Sequence, residues 1–229
     1  MTTHNQTQLT GTYNKTITER LGIQFGDGLN WQGAGTTAQN FDVQLQYEAV
    51  LNQPHEFVLS LQVDHSLGSS SRLPSSPATT PAVTFAKGLG DLPIGYWRPL
   101  AITGFAGYQF AQGTHRNAVN SGLSVQYSIP YLLSKVANVN LPAFLSGMTP
   151  LTEVSYISPV GRGYGTGSKL VVAPGVSYTQ GAGWELGVEA LIPATRAAGR
   201  GVGVIAQLVV QLDYLLPDSV FGRPLFRSQ

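Results

Sequence analysis

The sequence contains no cysteine, few charged residues and no long apolar run. The absence of cysteine among its 229 residues excludes disulfides, zinc–thiolate sites and thiol nucleophiles. Charged residues make up 11% of the chain, less than half of the roughly 25% typical of soluble domains. No apolar stretch approaches the ~20 residues that a membrane-spanning helix needs. A transmembrane β-barrel hides polar residues in its interior, so this composition, together with 27 Gly and 10 Tyr, favours a barrel.

The amount and distribution of charge exclude one class of partner. The net charge is +1 and the chain has no basic run, so we expect no nucleic-acid partner.

The N-terminal stretch Met1–Thr7 has neither the basic region nor the apolar core of a signal peptide. An outer-membrane protein needs such a peptide. We therefore expect either a mature or truncated form, or a protein that does not belong to that membrane.

The clearest pattern lies in Phe41–Leu67. Apolar residues occupy the odd positions from 41 to 51 and again from 57 to 63, with mostly polar residues between them. Alternation with a period of two over about a dozen residues indicates strands longer than the usual five or six residues. The stretch is therefore predicted to form a hairpin with one apolar and one polar face. The apolar face meets a protein core in a soluble protein and lipid in a membrane barrel.

Similar alternation along the chain predicts ten strands in one domain spanning residues 1–229, with a flexible lead-in at 1–12 and a periplasmic tail at 215–229. Long connections follow strands one, three, five, seven and nine, whereas tight turns follow strands two, four and eight. An even strand count with this asymmetry is typical of outer-membrane barrels, whose termini both lie on the periplasmic side. We predict an all-β antiparallel up-and-down transmembrane β-barrel of about ten strands, with twelve left open for the complete gene product. The predicted strands cover approximately residues 13–25, 41–51, 57–67, 83–97, 101–111, 119–129, 143–157, 169–178, 184–192 and 201–214.

If the apolar residues face lipid, most acidic side chains point into the barrel. An acidic lumen attracts cations, as rings of Asp or Glu do in cation-preferring pores. The predicted lumen-lining residues are Asp42, Gln44, Glu48, Glu56, Gln62, Asp64, Glu185, Glu189, Gln207, Gln211 and Asp213. Several basic residues fall instead in the long connections, which are predicted to be extracellular and to meet lipopolysaccharide phosphates. These residues are Arg72, Arg116, Arg162, Arg196 and Arg200.

The residues leave three functions open. The first is an outer-membrane channel or transporter-like protein for small solutes, with an acidic and mildly cation-preferring lumen. The second is a closed structural or surface barrel without conductance, because an interior only slightly wider than that of an eight-stranded barrel can be filled by side chains. The third is a soluble ligand-binding barrel whose apolar face points inward.

Enzymatic function is not expected. His65 lies next to Asp64 and Ser66, but spacing alone does not place a base against a nucleophile and an orienting group. His115 has no acidic residue nearby in the sequence. The glycine-rich stretch Gly161–Gly167 lacks the Lys-Ser/Thr ending of a phosphate-binding loop. No His/Asp/Glu group has metal-ligand spacing, so we expect neither a metal nor another cofactor.

Three segments together suggest a family. They are the run from Leu45–Glu48 through Pro54–Phe57, then Phe85–Pro93, and finally Gly222–Phe226. The sequence resembles a poorly characterised group of proteobacterial outer-membrane β-barrels, related to porin-like and phenol-degradation-associated transporter barrels. The resemblance implies the outer membrane of a Gram-negative bacterium, with its lipid and lipopolysaccharide as partners and the barrel-assembly machinery as a partner during biogenesis. Its motifs are structural and name no solute.

Overall fold

The computed structural model describes residues 6–32, 35–68, 77–113, 117–137, 139–161, 167–179 and 181–226. They form an antiparallel up-and-down sheet, which confirms the predicted all-β architecture with twelve strands instead of about ten. The strands are β1 (Gln6–Thr16), β2 (Leu21–Gln32), β3 (Gly35–Ala38), β4 (Phe41–Asn52), β5 (Phe57–Leu67), β6 (Ala78–Gly88), β7 (Leu100–Ala111), β8 (Asn117–Tyr127), β9 (Met148–Val160), β10 (Lys169–Thr179), β11 (Trp184–Pro193) and β12 (Gly203–Val210). Short helical turns lie at Gln53–His55, Gly95–Trp97, Ile129–Tyr131, Leu132–Val136, Arg196–Ala198 and Leu212–Leu215.

The prediction for the first strand is wrong. Residues 13–25 are not one strand preceded by a flexible lead-in, because β1 and β2 form a hairpin in which Tyr13 faces Phe25. The hairpin turns at residues 17–20, where the Thr18 hydroxyl oxygen accepts a hydrogen bond from the backbone N–H of Leu21 at 3.2 Å. Such local bonds from a side chain to the backbone stabilise turns at the expense of strand. In the sequence, the only sign of the turn is Glu19 at an otherwise apolar position.

The direction of the strands corrects the predicted position of the termini. β3 pairs only with β2, so eleven long strands follow one another across the sheet. We call the end with the connections at 17–20, 53–56 and 89–99 the turn end, and the opposite end the loop end. Because the number of long strands is odd, β1 and β12 both run from the loop end to the turn end. The described chain therefore starts and leaves the sheet at opposite ends.

Two later strands are shorter than predicted. β6 ends at Gly88, and residues 89–99 form a compact turn that includes Gly95–Trp97. β12 ends at Val210, where a helical turn replaces the last predicted strand residues and the Leu215 N–H donates to the Gln211 carbonyl at 3.0 Å. Alternation in the sequence continues past Val210, and past Gly88 it continues with a change of parity that predicts a bulge. Such a pattern does not distinguish a strand from a turn whose side chains also alternate.

The strand register separates the side chains into an apolar face and a polar face. One row of the apolar face crosses β2, β4, β5 and β6 through Leu21, Tyr47, Leu61 and Val83. One row of the polar face crosses the same strands through Gln24, Gln44, Asp64 and Thr80. A bulge between Glu48 and Val50 shifts the register, so Leu51 faces Val58 on the polar side.

On β4, β5, β6, β8 and β11 the polar face is the more enclosed of the two, whereas on β1 and β9 its side chains are largely exposed. On β5, Leu61 of the apolar face is 50% exposed, whereas its neighbour Ser60 on the polar face is 4% exposed. On β11, Val188 of the apolar face is 44% exposed, whereas Glu189 is half-buried. Among the described residues, the buried hydrophobic side chains are only those of Ala78, Ala118 and Ala173. The apolar face therefore does not pack into a core formed by the described part of the chain.

The residues that follow β12 show that the sheet is rolled. We call Gln211–Phe226 the C-terminal segment. It is hydrogen-bonded to Gly183, immediately before β11, and to Thr16, at the end of β1. Eleven strands about 4.8 Å apart would span about 48 Å in a flat sheet, which a segment of this length would reach only if it were almost fully extended. Because this segment contains a helical turn, the two edges of the sheet must curve towards each other.

The rolled sheet is not closed into a barrel. In the described part of the chain, β1 pairs only with β2 and β12 pairs only with β11. Their outer edges face a gap, which we call the seam. β1 and β12 run in the same direction, so a direct contact between them would be parallel and would interrupt the antiparallel pairing. This arrangement corrects the expectation of a barrel closed by antiparallel neighbours.

Candidate functional site

The polar face is a strongly acidic surface. By strand register, six carboxylates lie on the polar face. Among the strand residues of the described chain, Lys169 is the only base on this face. Gln62, Ala82, Gly107, Asn120, Ile157 and Lys169 form the row that assigns Lys169 to this face. The six acidic residues are Asp42, Glu48, Asp64, Glu153, Glu185 and Glu189.

Two of these carboxylates lie on the neighbouring strands β4 and β5. Asp64 faces Gln44 and Asp42 faces Ser66, so the two acids are diagonal neighbours on the polar face. Their charges are close enough to interact. Nearby polar groups are occupied with each other, as in the hydrogen bond of 2.7 Å from the Asn40 amide to the Ser66 hydroxyl. The pair therefore presents negative charge near the loop end of β4 and β5.

A second pair of acidic residues lies on two strands that are separated by a third strand. Glu153 of β9 and Glu189 of β11 are separated by β10, and their charges also interact. Gly175 of β10 faces Glu189 directly, and a Cβ atom on Gly175 would lie 2.3 Å from Glu189 Cγ. The missing side chain at Gly175 therefore provides the space that Glu189 occupies. Sequence reasoning missed Glu153, because Pro150 obscured the alternation in that strand.

The structure distributes the predicted lining residues over two regions. Eight of them lie on strands and belong to the polar face by register: Asp42, Gln44, Glu48, Gln62, Asp64, Glu185, Glu189 and Gln207. The other three lie outside the strands. Glu56 is in the β4–β5 turn, Gln211 follows β12, and Asp213 is in the helical turn Leu212–Leu215. These three are corrections to the predicted lining, because the strand pattern was extended to a residue before the start of β5 and past the end of β12.

The predicted basic residues can be located only in part. Arg196 and Arg200 lie in the connection between β11 and β12, at the loop end. Arg72, Arg116 and Arg162 lie outside the described residues. The two located guanidinium groups are therefore at the same end of the sheet as the Asp42–Asp64 pair, but not on its strands.

Glu56 belongs to a polar network that holds the turn end together. Its backbone adopts the left-handed conformation with φ of 48°, and its carboxylate Oε2 accepts a hydrogen bond of 2.9 Å from the Gly90 N–H. The Lys87 ammonium donates to both carboxylate oxygens of Asp91 at 2.9 Å and also to the His55 carbonyl. His55 Nδ1 lies 3.2 Å from Asp91 Oδ2. The network thus joins the segment Pro54–Phe57 to the segment Phe85–Pro93.

The electrostatics of this network follow from its hydrogen bonds. The bond from Lys87, and then that from His55, holds the pKa of the Asp91 carboxyl below its usual value.

Gly88 and Gly90 make room for the network, since a Cβ atom at either position would lie within 2.3 Å of a Glu56 carboxylate oxygen. These interactions fix the geometry of the β4–β5 and β6–β7 turns.

The candidates for catalysis do not come together. His65 belongs to the apolar face and its Nδ1 lies 2.9 Å from the Thr79 hydroxyl, whereas Asp64 and Ser66 point to the polar face. His115 lies outside the described residues. The described part of the chain also contains no group of three or more His, Asp or Glu residues that could hold a metal ion. Its helices are all too short or too polar to cross a membrane.

Fold and surface together define a class of protein: an antiparallel up-and-down β-sheet, rolled so that an acidic polar face is the more enclosed one. No protein-family model matches the chain, and no curated protein matches it either.

Proposed function

We propose that the protein is an outer-membrane β-barrel, a channel or transporter-like protein for small solutes whose acidic lumen favours cations. The observation that carries this proposal is the inverted polarity of the sheet, in which the polar face is enclosed and the apolar face is exposed. In a soluble barrel the enclosed face would be apolar. Lipid would cover the exposed Leu and Val side chains, and burial of apolar surface contributes about 25 cal/mol per Å².

The balance of charge on the polar face supports the cation preference. Six carboxylates and one lysine share this face, and a ring or patch of Asp and Glu attracts cations into a pore. Arg196 and Arg200 at the loop end would meet the phosphates of lipopolysaccharide if this end is extracellular. The turn end would then face the periplasm, as the short connections of outer-membrane barrels do.

Two measurements test the proposal in sequence. The protein should require detergent or lipid to stay folded and monodisperse; a folded, monodisperse protein in plain buffer would refute the membrane assignment and favour the soluble ligand-binding barrel. Reconstituted protein should then produce conductance steps in planar bilayers. Membrane insertion without steps would favour the closed structural barrel.

The acidic lumen is tested by neutralisation. The variant Asp42→Asn, Glu48→Gln, Asp64→Asn and Glu189→Gln should lose most of the cation preference measured from reversal potentials in a salt gradient. A matched control removes the same number of charges outside the polar face, with Glu19→Gln, Asp27→Asn, Asp213→Asn and Asp218→Asn. If the quadruple variant keeps the parent preference, or if the control loses it equally, the carboxylates of the polar face do not select ions.

A further inference from the structure

The seam between β1 and β12 carries an inference beyond solute passage. These two strands form the edges of the sheet, and within the described residues neither has a strand on its outer side. The C-terminal segment crosses from one edge to the other at the turn end. The edges are thus connected at the turn end by a segment that is not a strand, and the described residues provide no such connection at the loop end.

The C-terminal segment is bonded to the sheet at both of its ends. Next to β12, the Gln211 N–H donates to the Gly183 carbonyl at 2.9 Å. Next to β1, the Leu225 N–H donates to the Thr16 carbonyl at 3.1 Å and the Phe226 N–H donates to the Ile17 carbonyl at 2.9 Å. Each contact is made by the main chain, so each depends on the conformation of the whole segment.

Lys15 determines where the segment lies against β1. It faces Ile23 across the β1–β2 pair, which places it on the apolar face, and it is only 8% exposed. Its ammonium donates to the carbonyls of Val220, Phe221 and Arg223, with 3.2 Å to the Phe221 oxygen. No carboxylate in the described residues forms an ion pair with it. Burial of an ammonium group without hydrogen-bond acceptors costs free energy. The three carbonyls therefore stabilise Lys15 in its buried position.

An aromatic contact adds to the attachment. The rings of Tyr13 and Phe221 meet edge to face with their centroids 6.3 Å apart. Tyr13 lies two residues before Lys15, so both side chains project from the same face of β1. The segment therefore covers the apolar side of β1 near its end, where it crosses the seam.

We propose that the C-terminal segment is a strap that holds β1 and β12 together, and that Lys15 is the positioning residue that fixes it. When the strap is released, the seam opens laterally. The opening connects the space enclosed by the polar face with the surroundings of the apolar face. A sideways opening of a lumen rests on the proposed function. The attachment of the strap by Lys15 does not, and it is tested separately.

The absence of cysteine makes a cross-linking test unambiguous. In the full chain in detergent, Tyr13→Cys with Phe221→Cys should be joined efficiently by a short bifunctional thiol reagent. Leu9→Cys with Phe221→Cys is the matched control and should react poorly, because position 9 lies four residues, or about 13 Å, further along the same face. If the Tyr13/Phe221 pair cross-links no better than this control, the strap does not lie on β1.

Lys15→Met in the Tyr13→Cys/Phe221→Cys background tests the role of the ammonium. The rate of cross-linking should fall about tenfold, the scale expected when charged hydrogen bonds are lost. Lys135→Met removes an exposed lysine elsewhere and should leave the rate unchanged. An equal rate in the Lys15→Met and parent backgrounds would overturn the assignment. The strand signal in circular dichroism identifies variants that fail to fold.

Chemical rescue keeps the proposal falsifiable if Lys15→Met weakens folding in general. In a Lys15→Ala variant, added methylammonium should restore cross-linking, because it carries N–H donors that fit three carbonyls. Tetramethylammonium has the same charge without donors and should not restore it. Equal effects of the two ions would show that charge screening, and not the carbonyl site, governs the strap. Neither readout depends on conductance, so failure here is distinct from failure of the channel proposal.

Discussion

The carboxylate of Glu56 and the backbone N–H of Gly90 are joined by a hydrogen bond of 2.9 Å between two adjacent turns. Its acceptor comes from a residue in the left-handed conformation, and its donor from a glycine without room for a side chain. The bond therefore couples the β4–β5 turn to the β6–β7 turn, and its geometry leads to two predictions.

Gly90→Ala should destabilise the protein. The new Cβ atom would lie 2.3 Å from Glu56 Oε1 and 2.6 Å from Tyr131 Oη, so both groups must move and the hydrogen bond to Gly90 is disturbed. We expect a loss of about 1–3 kcal/mol in the free energy of unfolding, as for other overpacked sites. Denaturant unfolding in detergent measures it. Gly11→Ala, where nothing lies within 4 Å of the added atom, is the control and should lose clearly less.

Glu56→Gly should be less damaging than Glu56→Ala. Both substitutions remove the acceptor for Gly90, but only glycine relieves the left-handed backbone, which costs other residues roughly 1–2 kcal/mol. The two variants should therefore differ by about 1 kcal/mol in the free energy of unfolding, with the glycine variant more stable. Equal stability, or a more stable alanine variant, would mean that the backbone at residue 56 is not strained.

Asp91 should contribute to the loss of stability in acid. Hydrogen bonds from Lys87 and His55 lower its pKa in the folded protein relative to the ordinary value of 3.8. A group with a depressed folded pKa stabilises the fold above its unfolded pKa, and this contribution is lost as the pH falls through the folded pKa. The unfolding midpoints of the parent and of Asp91→Asn should therefore differ near neutral pH and converge below about pH 4. A constant difference across that range would contradict the assignment.

Gly175→Ala should disturb the second acidic pair. The added atom would lie 2.3 Å from Glu189 Cγ and 2.5 Å from the Val188 carbonyl oxygen, so both the Glu189 side chain and the backbone of β11 beside it must shift. We expect a loss of about 1–3 kcal/mol in stability and a smaller cation preference in bilayer recordings. Gly187→Ala on β11 is the matched control, because its nearest neighbour would be Gln207 Cβ at 3.9 Å. If the two variants behave alike, the position of Glu189 does not depend on Gly175.

The β4–β5 hairpin shows what alternation in the sequence predicts correctly, namely which side chains of a strand share a face. Side chains on a strand alternate with a period of two, so Phe41, Val43 and Leu45 had to share one face once the segment was extended. The same rule failed at Thr18 and at Asp213. In the first case a local hydrogen bond turned the chain, and in the second a helical turn continued an alternating pattern without a strand. Glu153 was missed for a related reason, since Pro150 hides the parity of β9.

Low total charge and alternation between neighbouring residues are enough to predict long antiparallel strands with one apolar and one polar side. Three features depend instead on contacts between distant parts of the chain: which face is enclosed, the common direction of β1 and β12, and the crossing of the seam by the C-terminal segment. Lys15 and the carbonyl of Val220 are separated by 205 positions in the chain. No periodic pattern connects residues so far apart, and their contact exists only because the rolling of the sheet brings its two edges together.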